Sequence, residues 1–264
     1  MTKKYAVLGS PIEHSKSPAI HTAAFAELGV DASYERIELA GKLSEFVSSL
    51  DDQWAGLSLT MPLKEQALAL AARADTLAIV TGAANTLIRS EAGWDAYNTD
   101  VFGIQMAVKH LKYRSVGVIG SGATARSAIV AMQELGKEVT VWARNGAAVK
   151  SIAAEFEVSV AQKFHHAAAK DLVISTLPAL TLDQYLSEIR GNPENALLDV
   201  AYAPWPSKAA ALWSNKGTAI SGLEMLIWQA VGQQRLFAGS ELDEPLKDEK
   251  AILAAIRSAL EVAK

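Results

Sequence analysis

The chain has 264 residues, of which 50% are hydrophobic and 20% charged, enough for one large domain or two ordinary ones with a core that needs no disulfide or metal. It has no cysteine, which excludes a disulfide framework, a thiol nucleophile, a thiol redox centre and any Cys-based zinc or iron–sulfur site. The net charge of −4 argues against a broad nucleic-acid or anionic-membrane surface and leaves room for a local basic pocket that takes a small anion.

Tyr5–Gly9 reads as a strand. Ser17-Pro18 then opens a helix that closes at Gly29, with Ser suited to the N-cap, Pro to the first turn and Gly to the position just past the end. Ser33–Leu39 and Ala55–Leu59 read as strands and Pro62–Ala74 as a helix. Thr86–Arg89 and Trp94–Asn98 flank Ser90-Glu91-Ala92-Gly93, a hairpin turn. Strands at Ser115–Ile119, Glu138–Ala143, Val158–Ala161, Leu172–Thr176 and Ala196–Val200 then alternate with helices at Ala123–Leu135 and Gly146–Phe156. Such alternation predicts βαβ units and a parallel sheet. Helical segments at Leu223–Phe237 and Lys247–Val262 close the chain. The pattern predicts an α/β protein of two domains, with a boundary near residues 103–112 and the last helix returning to the first domain.

The run Gly120-Ser121-Gly122-Ala123-Thr124-Ala125 is G-x-G-x-x-A directly after a strand and opening a helix, the context of a dinucleotide fingerprint. Gly120 permits the tight turn, Gly122 the close approach of a pyrophosphate, and Ala125 close helix packing, while the helix start attracts phosphate. S-adenosylmethionine enzymes use similar turns. About twenty residues on, where NAD enzymes place an acid for the ribose hydroxyl, this chain has Trp142-Ala143-Arg144-Asn145. An arginine attracts a 2′-phosphate and an acid repels it, so NADP is favoured over NAD.

Three polar clusters stand out upstream. In the loop Gly9–Pro18, Ser15 and Ser17 point to one side of an extended chain and could grip a carboxylate or polyol, or serve only as loop and cap residues. Lys64 follows Thr60-Met61-Pro62-Leu63 in the first helical turn, where the helix dipole disfavours a cation; such a departure marks either a reacting group or a solvated lysine. Gly82-Ala83-Ala84-Asn85-Thr86 and Asn98-Thr99-Asp100 sit at strand ends, where Asn and Asp also form turns. His14, His21, His110, His165 and His166 lack metal-ligand spacing, and no metal site is expected.

In combination these motifs resemble shikimate dehydrogenases over nearly the whole length. The Gly9–Pro18 loop followed by His21 is similar to the family's substrate loop, and Thr60–Lys64 to its T-x-P-x-K motif. Gly82–Thr86 matches G-A-x-N-T, Asn98–Asp100 matches N-T-D, and Gly120–Ala125 is the cofactor turn. Asp199-Val200-Ala201-Tyr202-Ala203-Pro204 matches D-x-x-Y-x-P, and Gly222-Leu223-Glu224-Met225-Leu226 with Gln229-Ala230 matches G-x-x-M-L…Q-A. Departures are Ser58 where Asn is common, the sequence of the cofactor turn, Arg144-Asn145 in place of Asn-Arg-Thr, and Ser207 where Thr is usual. They bear on cofactor preference more than on the reaction.

The resemblance implies reversible, NADP-dependent reduction of 3-dehydroshikimate to shikimate on the path to chorismate and aromatic amino acids. The alternative is a quinate/shikimate dehydrogenase of relaxed preference; a non-catalytic dinucleotide sensor and a methyltransferase are the rivals outside that class. The resemblance implies a substrate-binding catalytic domain of residues 1–105 with 237–264 and an NADP-binding Rossmann domain of residues 106–236. Lys64 and Asp100 are the implied catalytic pair. Ser15 and Ser17 would hold the carboxylate, with Tyr202 nearby, and Thr60, Asn85 and Gln229 would address the ring hydroxyls. Gly120, Ser121, Gly122, Ala123, Thr124, Arg144, Asn145, Thr176, Val200 and Gly222 would hold NADP. The apolar run at the N-terminus is too short for a signal peptide core and no run reaches the length of a membrane span. A cytoplasmic monomer or homodimer is therefore expected, with a small-molecule substrate and neither nucleic acid nor membrane as partner.

Overall fold

The structure, a computed structural model, describes residues 2–189 and 193–262. In chain order the first elements are β1 (Lys3–Gly9), α1 (Ser17–Glu27), β2 (Ala32–Glu38), α2 (Leu43–Ser48), β3 (Trp54–Leu59), α3 (Lys64–Leu70), β4 (Arg73–Ala74), α4 (Thr76–Thr81), β5 (Thr86–Ser90), β6 (Gly93–Tyr97) and α5 (Asp100–Val108). There follow β7 (Ser115–Ile119), α6 (Ala123–Glu134), β8 (Glu138–Trp142), α7 (Gly146–Glu155), β9 (Ser159–Val160), α8 (Phe164–Ala168), β10 (Leu172–Ser175), a 3₁₀ turn (Leu182–Glu188) and β11 (Ala196–Asp199). The chain ends with α9 (Lys208–Ser214), β12 (Thr218–Ser221), α10 (Gly222–Phe237) and α11 (Glu249–Val262). It divides into two compact units, Met1–Thr99 with Gln229–Lys264, and Asp100–Trp228.

The first unit is built on a six-stranded sheet ordered β2-β1-β3-β5-β6-β4. β2, β1 and β3 run parallel, β5 is antiparallel to both β3 and β6, and β4 is parallel to β6. Successive side chains of a strand face opposite sides, and β1 buries both. Tyr5 and Val7 pack with Ile12, Phe25, Tyr34 and Phe237 on one side, while Ala6 and Leu8 pack with Leu43, Leu57 and Leu63 on the other. Gly56 lies where any Cβ would overlap the rings of Phe237 and Tyr5, so its lack of a side chain lets α10 approach β3. α11 packs along α1, and a part-buried two-pronged ion pair fastens it to α10: Arg235 Nε donates to Glu249 Oε2 at 2.8 Å and Nη2 to Oε1 at 2.7 Å.

The second unit is wholly parallel, in the order β12-β11-β10-β7-β8-β9. Counted from β7, this is the 3-2-1-4-5-6 order of the doubly wound dinucleotide fold. Phe164, Val173, Leu197 and Trp213 belong to one core cluster, and Ala128, Ile129 and Met132 of α6 are also fully buried. Gly117 faces the Ala167 carbonyl so closely that a Cβ would overlap it, which sets the approach of α8 to β7.

The predicted strands and long helices are present within a residue or two, a normal spread for element ends. Two expectations need correction. The helix predicted at Pro62–Ala74 ends at Leu70, because Ala71 is extended (ψ 140°) and Arg73–Ala74 pairs with β6 instead. Ser17 is not the N-cap of α1: Lys16 holds that position, the Ser17 amide donates to Ser15 Oγ, and the Ser17 hydroxyl turns inward to Tyr34.

Candidate active site

Three of the candidate residues, Thr60, Lys64 and Asn85, are fixed by backbone contacts around the ends of β1, β3 and β5. The Thr60 amide donates to the Leu8 carbonyl at 2.9 Å. Lys64 begins α3, and its carbonyl accepts from the Ala84 amide at 2.9 Å, which ties the lysine's backbone to the Gly82–Thr86 segment. That segment follows α4, whose N-cap Asp75 accepts from the Ala78 amide at 2.6 Å. Gly82 at φ 65° closes the helix in the left-handed conformation that favours glycine. Asn98 Nδ2 donates to Thr81 Oγ1 at 2.8 Å and to the Ala83 carbonyl at 2.9 Å, locking the segment from the other side.

Asn85 stands at the centre of a buried polar network. Its Oδ1 accepts from the Thr99 amide at 2.9 Å and from Thr86 Oγ1 at 2.9 Å, which fixes the amide's orientation. Nδ2 therefore donates, to Gln229 Oε1 at 3.0 Å and Thr99 Oγ1 at 2.9 Å. The structure thus joins two residues expected to address the ring hydroxyls, Asn85 and Gln229. Gln233, one turn on along α10, continues the network: its Nε2 donates to the Asn85 carbonyl at 3.1 Å and to Thr86 Oγ1 at 2.9 Å. Its Oε1 is left to accept from Ser58 Oγ at 3.1 Å and His21 Nε2 at 3.1 Å, and Gln234 Nε2 donates to His21 Nδ1 at 2.8 Å.

These partners make His21 a neutral imidazole protonated on Nε2, and its complete burial pushes its pKa from 6.5 down to about 3. Tyr34 stacks on the His21 ring at 4.3 Å, and its hydroxyl donates to Ser58 Oγ at 2.6 Å. Burial raises its pKa, with the bonds to Ser58 and Ser17 acting the other way. Ser17 is buried and Ser15 half-buried. Tyr34, Ser58, Gln233 and Gln234 were not singled out in the sequence as site residues. The available signal was the placing of Gln229 and Gln233 four apart on a largely apolar helix.

Asp100, buried, opens α5 and belongs to the second unit, as does half-buried Tyr202 in the loop after β11. The cofactor candidates all lie where strands of the second sheet end, at their carboxyl ends or in the loops that follow. Gly120, at φ 133°, follows β7; a Cβ there would overlap Thr176 Oγ1, which follows β10 and donates to the Ile119 carbonyl at 3.0 Å. β7 and β10 are neighbours, and the strand order reverses between them, the place where open α/β sheets bind ligands. Gly122 is the N-cap of α6, with nothing within 4 Å of where a Cβ would sit. Ser121, Ala123 and Thr124 flank it, half-buried. Arg144 is exposed after β8, and Asn145 caps α7, its Oδ1 accepting from the Ala147 and Ala148 amides at 3.1 and 3.2 Å. Val200 follows β11, and Gly222 follows β12 so close to the Val200 carbonyl that no side chain fits. This cradle fits a dinucleotide: bare backbone at a helix start for the pyrophosphate, with an arginine one strand away.

Asp199, at the end of β11, is buried, and among the described residues no cation acts on it. Desolvation lifts its pKa to about 6, against the Ala201 amide and Ser175, while the Asp183 charge adds to the rise. Among the described residues, no group of three or more His, Asp or Glu is placed to hold a metal ion, and no helix is long and apolar enough to cross a membrane.

A profile of the shikimate dehydrogenase substrate binding domain matches residues 7–87, and one described as NADP oxidoreductase, coenzyme F420-dependent, matches residues 115–202. A shikimate dehydrogenase (NADP(+)) of Thermus thermophilus is 33% identical over 266 residues, covering 96% of this chain and 98% of that protein. The chain belongs to the shikimate dehydrogenase family. Among solved members, the Mycobacterium tuberculosis shikimate dehydrogenase is 38% identical at a TM-score of 0.83, over 97% of this chain and 99% of that one. A Thermus thermophilus shikimate dehydrogenase solved in complex with NADP(H) and shikimate is 31% identical at a TM-score of 0.83, over 98% of this chain and all (100%) of that one.

Proposed function

We infer that the protein is an NADP-dependent shikimate dehydrogenase that interconverts 3-dehydroshikimate and shikimate, with the first unit binding the substrate and the second the cofactor. The observation that carries the reading is the pairing of two structures in one chain. One is a phosphate cradle at the switch point of a parallel sheet; the other is a buried polar network around Asn85 and Gln229, beside the backbone of Lys64.

NADP, when bound, supplies or accepts the hydride. Gly120 to Thr124 would hold its pyrophosphate, Arg144 its 2′-phosphate, and Asn145, Thr176, Val200 and Gly222 the remaining edges. The chain's own task is to hold a hydroxylated ring acid and to move one proton. Ser15 and Ser17 hold the carboxylate, and Tyr202 is a further substrate-binding residue. Asn85 and Gln229, held rigid by each other, and Thr60 take the ring hydroxyls. Lys64 gives a proton to the carbonyl oxygen as that oxygen becomes an alcohol, and removes it in the reverse direction. Asp100 is the second member of the catalytic pair. In balance, the ketone carbon gains a hydride and its oxygen a proton.

The test is the absorbance at 340 nm with shikimate and NADP, on wild type and Lys64→Ala. The wild type should reduce NADP, and the variant should lose kcat by about 10²–10⁴-fold with KM nearly unchanged. No signal from the wild type would end the reading, and a variant keeping more than about a tenth of kcat would remove Lys64 from the chemistry.

A further inference from the structure

Four hydroxyl and amide groups form a continuous buried chain in the first unit. Ser17 bonds to the Tyr34 phenol, the phenol to Ser58 Oγ at 2.6 Å, and Ser58 Oγ to Gln233 Oε1 at 3.1 Å. All four side chains are at least nine-tenths buried. Gln233 cannot turn, because its Nε2 is committed to the Asn85 carbonyl and Thr86. The Tyr34 ring cannot move aside, because it stacks on His21 at an interplanar angle of 10° and is packed with Tyr5, Val7 and Phe25.

The phenol thus stands between two serine oxygens with a single proton to give. While it donates to Ser58, Ser17 must donate to it, and the Ser17 proton points away from any ligand. An incoming anion that takes the Ser17 proton leaves the phenol oxygen short of a donor. Rotation of two hydroxyls repairs this: the phenol turns its proton to Ser17, and Ser58 turns its own to the phenol and away from Gln233 Oε1, which keeps the donor His21 Nε2. Hydrogen bonds aligned in one direction strengthen one another, so the reversed chain makes Ser17 a better donor to an anion.

We propose that Tyr34 is a positioning residue for substrate binding, reversing the direction of the Ser17–Tyr34–Ser58 hydroxyl chain when the substrate's carboxylate arrives. The proposal rests on the reading of Ser17 as a carboxylate ligand.

The experiment measures kcat and KM for shikimate and for its methyl ester, which lacks the anionic charge, in wild type, Tyr34→Phe, Ser17→Ala and the double variant. Tyr34→Phe keeps the ring and removes one oxygen. It should raise KM for shikimate about fivefold, the usual worth of one hydrogen bond, with kcat within twofold, and change KM for the ester less than twofold. In the Ser17→Ala background it should add nothing. If Ser17→Ala leaves KM for shikimate unchanged, the assignment of Ser17 fails and the proposal with it. If Ser17→Ala raises KM and Tyr34→Phe does not, the proposal alone is overturned. Equal effects of Tyr34→Phe on acid and ester, or a parallel fall in kcat, reduce Tyr34 to packing and also overturn it. Should Tyr34→Phe not fold, 3-fluorotyrosine inserted at position 34 keeps the shape and makes the phenol a stronger donor. It should lower KM for shikimate, and an unchanged KM would overturn the proposal.

Discussion

Acid should loosen the first unit through His21. Complete burial holds its folded pKa at about 3 against 6.5 for a free imidazole, with the Gln233 bond acting the other way. Because the folded value lies below the unfolded one, the unfolded chain binds the extra proton. The stability is then fully present above pH 6.5 and is lost as pH falls toward 3. For these two values, acidification from pH 7.5 to 5 costs about 2 kcal/mol, a large share of the roughly 5–15 kcal/mol that holds a domain together. Asp199 works in the opposite sense. Its folded pKa of about 6 lies above the unfolded value, so it holds a proton that the unfolded chain has released, and the same acidification returns about 1.4 kcal/mol. His21→Gln isolates the first effect, since a glutamine can still donate to Gln233 Oε1 but takes up no proton. Urea titrations between pH 5 and 7.5, followed by circular dichroism, should show the wild type losing about 2 kcal/mol more than the variant across that range. Parallel pH slopes for the two proteins would refute the reasoning.

Gly120→Ala puts a Cβ onto Thr176 Oγ1 at a φ of 133° that side chains rarely adopt. It should weaken NADPH at least about tenfold in a fluorescence titration, with strain of about 1–3 kcal/mol; an unchanged Kd would show that the turn does not hold the cofactor. Arg144→Ala should weaken NADPH by about 10–100-fold, the worth of a charge-assisted contact, and NADH hardly at all; equal losses would mean that Arg144 does not reach the 2′-phosphate. Asp199→Asn removes a buried carboxylate whose pKa is lifted to about 6 from 3.8, so at pH 7.5 it should stabilise the second unit by up to about 3 kcal/mol. A urea midpoint at or below that of the wild type would contradict the assignment of an uncompensated buried charge.

The second unit was the more legible in sequence, because five of its six strands carry readable runs, β12 (Thr218–Ser221) being the exception, and the turn after β7 carries a local glycine signature. The first unit was read less well where its elements are short or lack capping signals. α2 has six residues and starts from Lys42 in the left-handed conformation, at φ 59°. α4 is announced by Asp75, but a helix drawn through to Ala74 hides that cap. α5, which opens the second unit, begins at Asp100 in a polar cluster that the sequence reads as a strand end. Single motifs show candidate residues and not their partners. Lys64 and Asn85 stand out locally, whereas the His21–Gln233 bond joins positions 212 residues apart. Ser58, noted as a departure from the usual asparagine, lies in this network between Tyr34 and Gln233. Nothing in the strand Trp54–Leu59 taken alone shows that.

The insertion of one unit within the other has a consequence for synthesis. Residues 100–228 are contiguous, so that portion can collapse as soon as it leaves the ribosome. The portion begun first must wait. Until α10 and α11 emerge, His21 and Ser58 lack Gln233, Asn85 lacks Gln229, and α1 lacks its cover. The earliest-made segment is thus the last to mature, and in this chain a nascent polypeptide stalled before Gln229 would present a sheet with all six strands but without its late helices to chaperones and proteases.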